Sequence, residues 1–502
     1  MKRGALLLAL ALFLLRVAFL AKPDLFPEEA YYWNYAVHLD IGYLDHPPMV
    51  AWLIHLGTAL FGDGEFGVRA PLILCTLATA FFTFRLTELL FDRRAAWLAV
   101  LLVQLLPFFF LTGFMITPDA PLTACWAGGL YFLARALLRE KTSAWFGLGV
   151  CLGLGMLSKY TIALLGPATL LFLAVDPRSR RWFRHPAPYA AVAFSIVIFS
   201  PVIIWNARND WASFAFQSAD RVAEARRFST HELLLSILAL LTPLIMVFAW
   251  KALRGSPGED SRQRLFARLY TLVPLSVFVI FSLTHRVKLN WTGPLWLAVL
   301  PAIAATLVAL MDQPPGFLRR AWLGTVAVLV LIHVTFLTHL AFGFPWIGYA
   351  KNMALLPVGW SEMGRALEAR RAAIPVPANG KVMLVGLDKN FIASEAAFYH
   401  SHPREAVPKT TGAHLFGSRA LMYEYWFPAK AQQGATLLLV SFDRSDLDRK
   451  RVRNQSERVS EIEESWIERG GKKVRPYYTR VVANYRPGDR EDITGSGREK
   501  NR

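Results

Sequence analysis

Phe26-Pro27-Glu28-Glu29-Ala30-Tyr31-Tyr32-Trp33 and, a few residues on, Gly42-Tyr43-Leu44-Asp45-His46-Pro47-Pro48 stand between two apolar runs. The run before them, residues 4–22, and the run after them, residues 67–84, each approach the ~20 residues that cross about 30 Å of hydrocarbon. The intervening residues 23–66 do not cross. Glu28–Leu39 is too short and too polar, and it carries Tyr31, Tyr32, Trp33 and Tyr35, ring types favoured at a membrane–water interface. Met49–Phe61 is apolar but too short. Both are predicted as helices lying along the outer face of a membrane, and residues 206–231 are read in the same way.

Further apolar runs fall at 95–113, 118–138, 144–158, 160–175, 187–205, 232–250, 267–284, 291–311 and 321–342, which makes about eleven spans. The first run follows Met1-Lys2-Arg3 but lacks a small-x-small cleavage site and is long for a signal peptide. It is read as an uncleaved span. Composition agrees: 54% of the 502 residues are hydrophobic and only 18% are charged, against roughly 25% in a soluble domain. That excludes a disordered chain and an ordinary cytosolic enzyme. The net charge of +18 is first a topology signal. One set of loops holds Arg93, Arg94, Arg178, Arg180, Arg181, Arg184, Lys251, Arg254 and Arg262; the alternate set is much poorer in cations. The rich set is assigned to the cytoplasm, with the N-terminus. An odd number of spans then leaves the chain after residue 342 outside. Cys75, Cys125 and Cys151 lie in apolar runs and show no metal-ligand spacing.

Beyond about residue 344 the pattern changes. Residues 381–387 and 436–442 are short apolar runs of strand type, 475–486 offers another strand, 390–400 reads as a helix, and the highly charged 445–468 reads as a solvated helix. The expected organisation is a membrane body over 1–343 with an external loop 23–66, a small α/β domain over 344–486 and a disordered polar tail over 487–502.

Acids gather on the predicted outer face: Asp24, Glu28, Glu29, Asp40, Asp45, Asp63, Glu65 and, in a later loop, Asp119. Acids beside apolar helices are costly unless paired or used. Glu28 and Glu29 offer a general base, but acids behind Pro27 are also ordinary helix-start chemistry. Asp45-His46 offers an acceptor and a titratable donor, although Pro47-Pro48 also simply opens a helix. Thr117-Pro118-Asp119 has the residues of a helix start and shares the predicted side with Glu28. Lys159 in its tight turn and the cluster Arg286, Lys288 and Asn290 suit either a phosphate site or snorkelling at helix ends. Arg16 inside the first span needs a partner, and His333 and His339 read as packed residues of the last span. No phosphate-cradling glycine loop or HExxH occurs, which argues against an ATP-driven pump and a zinc protease.

The blocks Glu28–Trp33, Gly42–Pro48 and Phe66-Gly67-Val68-Arg69, with Thr117-Pro118-Asp119, Ser158-Lys159-Tyr160 and Asn290-Trp291, resemble glycosyltransferase family 39. Its bacterial members include protein O-mannosyltransferases and lipid A aminoarabinose transferases. The resemblance covers about residues 1–340, and the part after it is similar to the external domain of many bacterial members. It implies an all-α polytopic GT-C fold with a small C-terminal α/β periplasmic domain, in the bacterial inner membrane. It also implies transfer of a sugar from a polyprenyl-phosphate carrier to a lipid, glycan or protein acceptor on the outer face, with inversion. The family's acidic pair is usually Asp-Glu and here is Glu28-Glu29, one methylene longer at the first position. The resemblance implies that Glu28, Glu29 and Asp119 act on the acceptor. It likewise implies that Asp45, His46, Lys159, Arg286, Lys288 and Asn290 bind the lipid-phosphate sugar, with Lys159, His46, Arg286 and Lys288 offsetting the phosphate charge. No metal ligand set is encoded and no cofactor is required, with room for an assisting divalent cation. Nucleic acid is not an expected partner. Two other readings compete: a transporter or flippase for a lipid-linked sugar, which should show midplane charges and inverted repeats, and a non-catalytic envelope-assembly subunit.

Overall fold

An apolar run surrounded by hydrocarbon must satisfy its backbone polar groups internally, so it folds as a helix. The computed structural model describes residues 2–488 apart from 224, 256–258, 345–355, 377–380, 400–409 and 470–471. Helices occupy every one of the apolar runs. Four are long and apolar enough to cross a membrane: Glu65–Leu90, Pro186–Arg208, Ser261–Ser282 and Phe317–Phe342. Counting each of two bent pairs as one span brings these to six. The run 232–250, read as one span, is in fact Thr230–Leu241 followed by Pro243–Arg254 at 96°. Pro243 lacks the N–H that would continue the ladder and disfavours the helical region for the residue before it. The run 95–113 breaks for the same reason ahead of Pro107, where Leu106 is extended (φ −68°, ψ 138°) between Arg93–Leu105 and Pro107–Thr112.

The chain divides into two compact units. The first holds Met1–Leu20, Ile41–Leu53 and Arg69–Thr338. Its helices pack closely where side chains are small, the usual device in lipid. A Cβ on Gly149 of Ala144–Ser158 would lie 2.8 Å from the carbonyl oxygen of Ala191 in Pro186–Arg208. Arg16 is buried beside this break. Its guanidinium donates to the Gln104 side-chain oxygen and to the carbonyl of Phe109 (3.2 Å), which also takes the Gly113 N–H and the Thr112 hydroxyl. His333 serves the other side of the break: its Nε2 meets the Leu105 carbonyl at 2.8 Å and its ring stacks on Phe110. It is a packed residue, as its sequence context suggested.

The second unit holds Ala21–Asp40, Ile54–Val68 and the chain from His339. Its sheet is built from β1 (Val382–Gly386), β2 (Thr410–Gly412), β3 (Thr436–Ser441), β4 (Arg458–Val459), β5 (Glu463–Arg469) and β6 (Lys472–Ala483). The order is β2-β1-β3-β6-β4, with β5 also on β6; β1 is parallel to β2 and β3, and β6 is antiparallel to its neighbours. The helix Phe391–Phe398 follows β1 as expected. The charged stretch 445–468 is not a helix. After a short helix Lys450–Asn454 it becomes β4 and β5. Its charges pair across the β5–β6 hairpin, Glu468 opposite Lys473, while Ile467 turns into the core. Residues 489–502, most of the predicted disordered tail, lie outside the described residues.

The helix Pro27–Val37 forms where expected, but its rings do not serve an interface. Tyr31, Tyr32, Trp33 and Tyr35 are buried. Trp33 meets Phe398 edge-on at 5.2 Å and Tyr35 meets Trp426 at 5.7 Å. The Met422 N–H donates to the Tyr31 hydroxyl. Aromatic pairs add to the area they bury, so this helix is core material of the second unit.

Candidate active site

In the first unit three of the predicted residues meet. Asp119 opens the helix Asp119–Leu137 behind Pro118, where a carboxylate is favoured by the helix dipole. It is only 4% exposed. Its Oδ1 accepts from Lys159 Nζ at 2.8 Å and its Oδ2 from Asn290 Nδ2 at 2.5 Å. Lys159 is the one extended residue (φ −162°, ψ 135°) between the helix Ala144–Ser158 and the 3-10 turn Tyr160–Leu164. Asn290 comes from the 3-10 turn Leu289–Thr292. Three segments far apart in sequence thus supply an acid, a cation and an amide. The Lys159 ammonium gives one of its three N–H donors to Asp119, and the others can meet an anion.

Asp45 is buried and His46 half-buried, on the bend before Met49–Phe61. The bend is held from a segment that sequence reasoning did not single out. Gln217 at the end of Ala212–Gln217 donates to the Asp45 carbonyl. In the same helix Ser213 meets the Tyr160 hydroxyl at 3.0 Å, next to Lys159. Asn206 ties the segment back by accepting from the Phe214 N–H. Gly42 is required here, because a Cβ would lie 2.6 Å from Trp205. Only the glycine hinted at this approach; Gln217 and Ser213 carried no signal. Arg286 does not join the Asp119 group. It is exposed and lies 3.7 Å from Glu232, which also takes Arg227. Lys288 is exposed, two residues before Asn290.

Glu28 and Glu29 belong to the second unit, in the first turn of Pro27–Val37. Glu29 is fully buried and its Oε2 accepts from the Phe26 N–H at 2.9 Å, which is helix-start chemistry. Glu28 is half-buried. Two other acids of the predicted outer face have structural duties. Asp24 accepts from the Trp360 N–H at the start of Trp360–Ala372, and Glu65 accepts from the Tyr399 hydroxyl at 3.1 Å. Burial first, then the charges of Asp24, Glu395 and Glu65, pushes the Tyr399 phenol well up, so it stays a donor. His38 stacks on Trp426 at 4.5 Å, and burial lowers it to about 4, so it is neutral at physiological pH. Among the described residues no group of three or more His, Cys, Asp or Glu is arranged to hold a metal ion.

The model of the dolichyl-phosphate-mannose-protein mannosyltransferase family matches residues 45–205. A lipid A galacturonosyltransferase, RgtD, of Rhizobium johnstonii is 25% identical over 417 residues, 78% of this chain and 81% of that protein. An undecaprenyl phosphate-α-4-amino-4-deoxy-L-arabinose arabinosyl transferase of Pseudomonas fluorescens is 25% identical over 71% of this chain and 64% of its own. In fold the chain is similar to ArnT from Cupriavidus metallidurans in the apo state, with a TM-score of 0.66 at 17% identity over 95% of this chain and 98% of that one. The same protein solved with undecaprenyl phosphate gives 0.64.

Proposed function

We propose that this chain, a membrane glycosyltransferase of the GT-C fold that belongs with family 39, moves a sugar from a polyprenyl-phosphate carrier to lipid A, lipopolysaccharide or another envelope acceptor. Transfer takes place at the outer face of the bacterial inner membrane and inverts the anomeric carbon. The carrying observation is the buried Asp119–Lys159–Asn290 cluster in a chain whose fold follows, over nearly its whole length, a protein solved with undecaprenyl phosphate. The curated relatives are transferases, so the flippase and assembly-subunit readings are set aside.

Lys159 offers ammonium N–H donors to the phosphate that leaves as the glycosidic bond to the carrier breaks. A donor placed where charge develops in the transition state is worth about 2.7–4 kcal/mol. Asp119 fixes that ammonium and is the acid available to orient or deprotonate the acceptor. Asn290 holds the second carboxylate oxygen and so fixes the direction of the first. His46, beside Asp45 on the Gln217-tethered bend, is assigned to the carrier phosphate, with Arg286 and Lys288 as cations that draw anionic substrate to the surface. Glu28 is the base that the family resemblance offers, and Glu29 holds its helix start. No cofactor is assigned; a divalent cation is an assisting charge to be tested with chelator.

About eleven spans, a cytoplasmic N-terminus, a membrane body over 1–343 and a periplasmic α/β domain over 344–486 complete the proposal. The test is transfer of labelled sugar from the carrier in membranes holding the purified protein. Asp119→Asn and Lys159→Gln each lower turnover per folded molecule by at least a hundredfold. Near-normal turnover in both, or in Glu28→Gln for the base, removes the corresponding assignment.

A further inference from the structure

The second unit contains a cleft lined by none of the candidate active-site residues above. β1 is parallel to β2 on one side and to β3 on the other, so the chain reverses its winding direction between β1 and β3. In open α/β sheets such a reversal splays the loops that follow the two strands and leaves a crevice at their carboxyl ends, where ligands bind. Here the crevice has a cavity volume of about 590 Å³. Asp388 from the loop after β1, Asp443 and Arg444 from the loop after β3, and Arg475 and Tyr478 from β6 line it, with Phe442.

Its polar groups are unequally committed. Asp388 already accepts from the N–H groups of Phe391 (2.9 Å) and Ile392 (3.2 Å), so the helix start is capped by the protein itself. Asp446 is taken by Ser441 and Arg449. Arg475 is different. Its Cζ lies over the Phe442 ring, 3.8 Å from the centroid, and its Nη1 is buried with no hydrogen-bond partner among the described residues. A buried donor without an acceptor costs about 1–3 kcal/mol. The planar fork of a guanidinium matches a phosphate or carboxylate. Around it, the rings of Phe442 and Tyr478 offer apolar faces, and Asp443, which also accepts from the Ser445 N–H at 2.9 Å, adds a carboxylate.

We propose that this crevice is a binding site for a phosphate- or carboxylate-bearing sugar, with Arg475 on the anionic group and the flanking rings and carboxylates on the sugar ring. Under the transferase reading, on which this last step rests, the site holds an anionic sugar of the acceptor.

The experiment uses the full-length protein in nanodiscs and calorimetric titration, with glucose 1-phosphate, inorganic phosphate and glucose as probes. Glucose 1-phosphate binds saturably, and each of the other two binds at least tenfold more weakly. Arg475→Gln lowers glucose 1-phosphate affinity at least tenfold, and Arg444→Gln, at an exposed position that cannot unfold the sheet, lowers it about threefold. Arg458→Gln, at an exposed cation outside the crevice lining, leaves it unchanged. Unchanged binding in Arg475→Gln, or an equal loss in Arg458→Gln, overturns the site. Phosphate binding as tight as that of glucose 1-phosphate overturns its sugar component. Because binding is read without turnover, these outcomes are independent of whether the chain transfers sugar.

Discussion

The Asp119–Lys159 pair allows structural and chemical roles to be separated. The pair is 2.8 Å apart, with side chains 6% and 13% exposed. At an effective dielectric constant near 20 the attraction is about 6 kcal/mol, much of it offset by desolvation. Removing one partner leaves a buried charge, and so Lys159→Met and Asp119→Asn each destabilise the protein by about 3–5 kcal/mol. The double variant has no charge left to bury. It recovers about 2–4 kcal/mol relative to the sum of the singles, whereas independent sites add to within ~0.5 kcal/mol. Stability is read as the unfolding midpoint in detergent, and turnover as sugar released from carrier at saturating acceptor. Stability recovers in the double variant; turnover stays at least a hundredfold down, because the donor to the leaving phosphate is gone. Additive destabilisation refutes the coupling. Recovery of turnover together with stability refutes the catalytic role of Lys159 and leaves it a structural cation.

Gln217→Ala loosens the bend carrying Asp45 and His46 without touching Asp119, so KM for the carrier-linked sugar rises about tenfold while kcat changes less than threefold; equal loss in both contradicts a positioning role. Arg16→Met takes the donor from the buried Gln104 side-chain oxygen and lowers the unfolding free energy by about 1–3 kcal/mol, seen as a lower midpoint with no change in KM. Gly149→Ala brings a Cβ to 2.8 Å from the Ala191 carbonyl and costs about 1–3 kcal/mol by forcing two helices apart. Asp388 is pushed up by burial from 3.8 to about 6. Its contribution to stability is therefore fully present below about pH 4 and is lost as pH rises through 6, at most about 3 kcal/mol. Asp388→Asn flattens that slope, and an unchanged slope by hydrogen exchange of β1 and β3 excludes Asp388 as its source.

The apolar runs showed where helix falls, though not that 95–113 and 232–250 each divide into two helices, because the lipid requirement for internal backbone pairing acts locally on about twenty residues at a time. The helix starts at Pro27 and Asp119 were legible for the same local reason. The break at Pro107 was local too, but Arg16 as a donor beside it was not, since the contact crosses 93 positions in sequence. Charge density misled at 445–468: a run of charged residues has the composition of a solvated helix, and only pairing with β6 makes it a hairpin.

From its order of residues alone, this protein has a membrane body, an acid-rich segment between its first apolar runs, a compositional change near residue 344 and the motifs of a carrier-dependent transferase. Tertiary structure decided which acids do what. Glu29 caps its own helix as local spacing allows, but Asp24 and Glu65 meet donors 336 and 334 positions away, and Asp119 meets an ammonium and an amide from turns 40 and 171 positions away. A carboxylate's role is set by its nearest donors and by the water removed around it, and both are properties of chain segments brought together by folding.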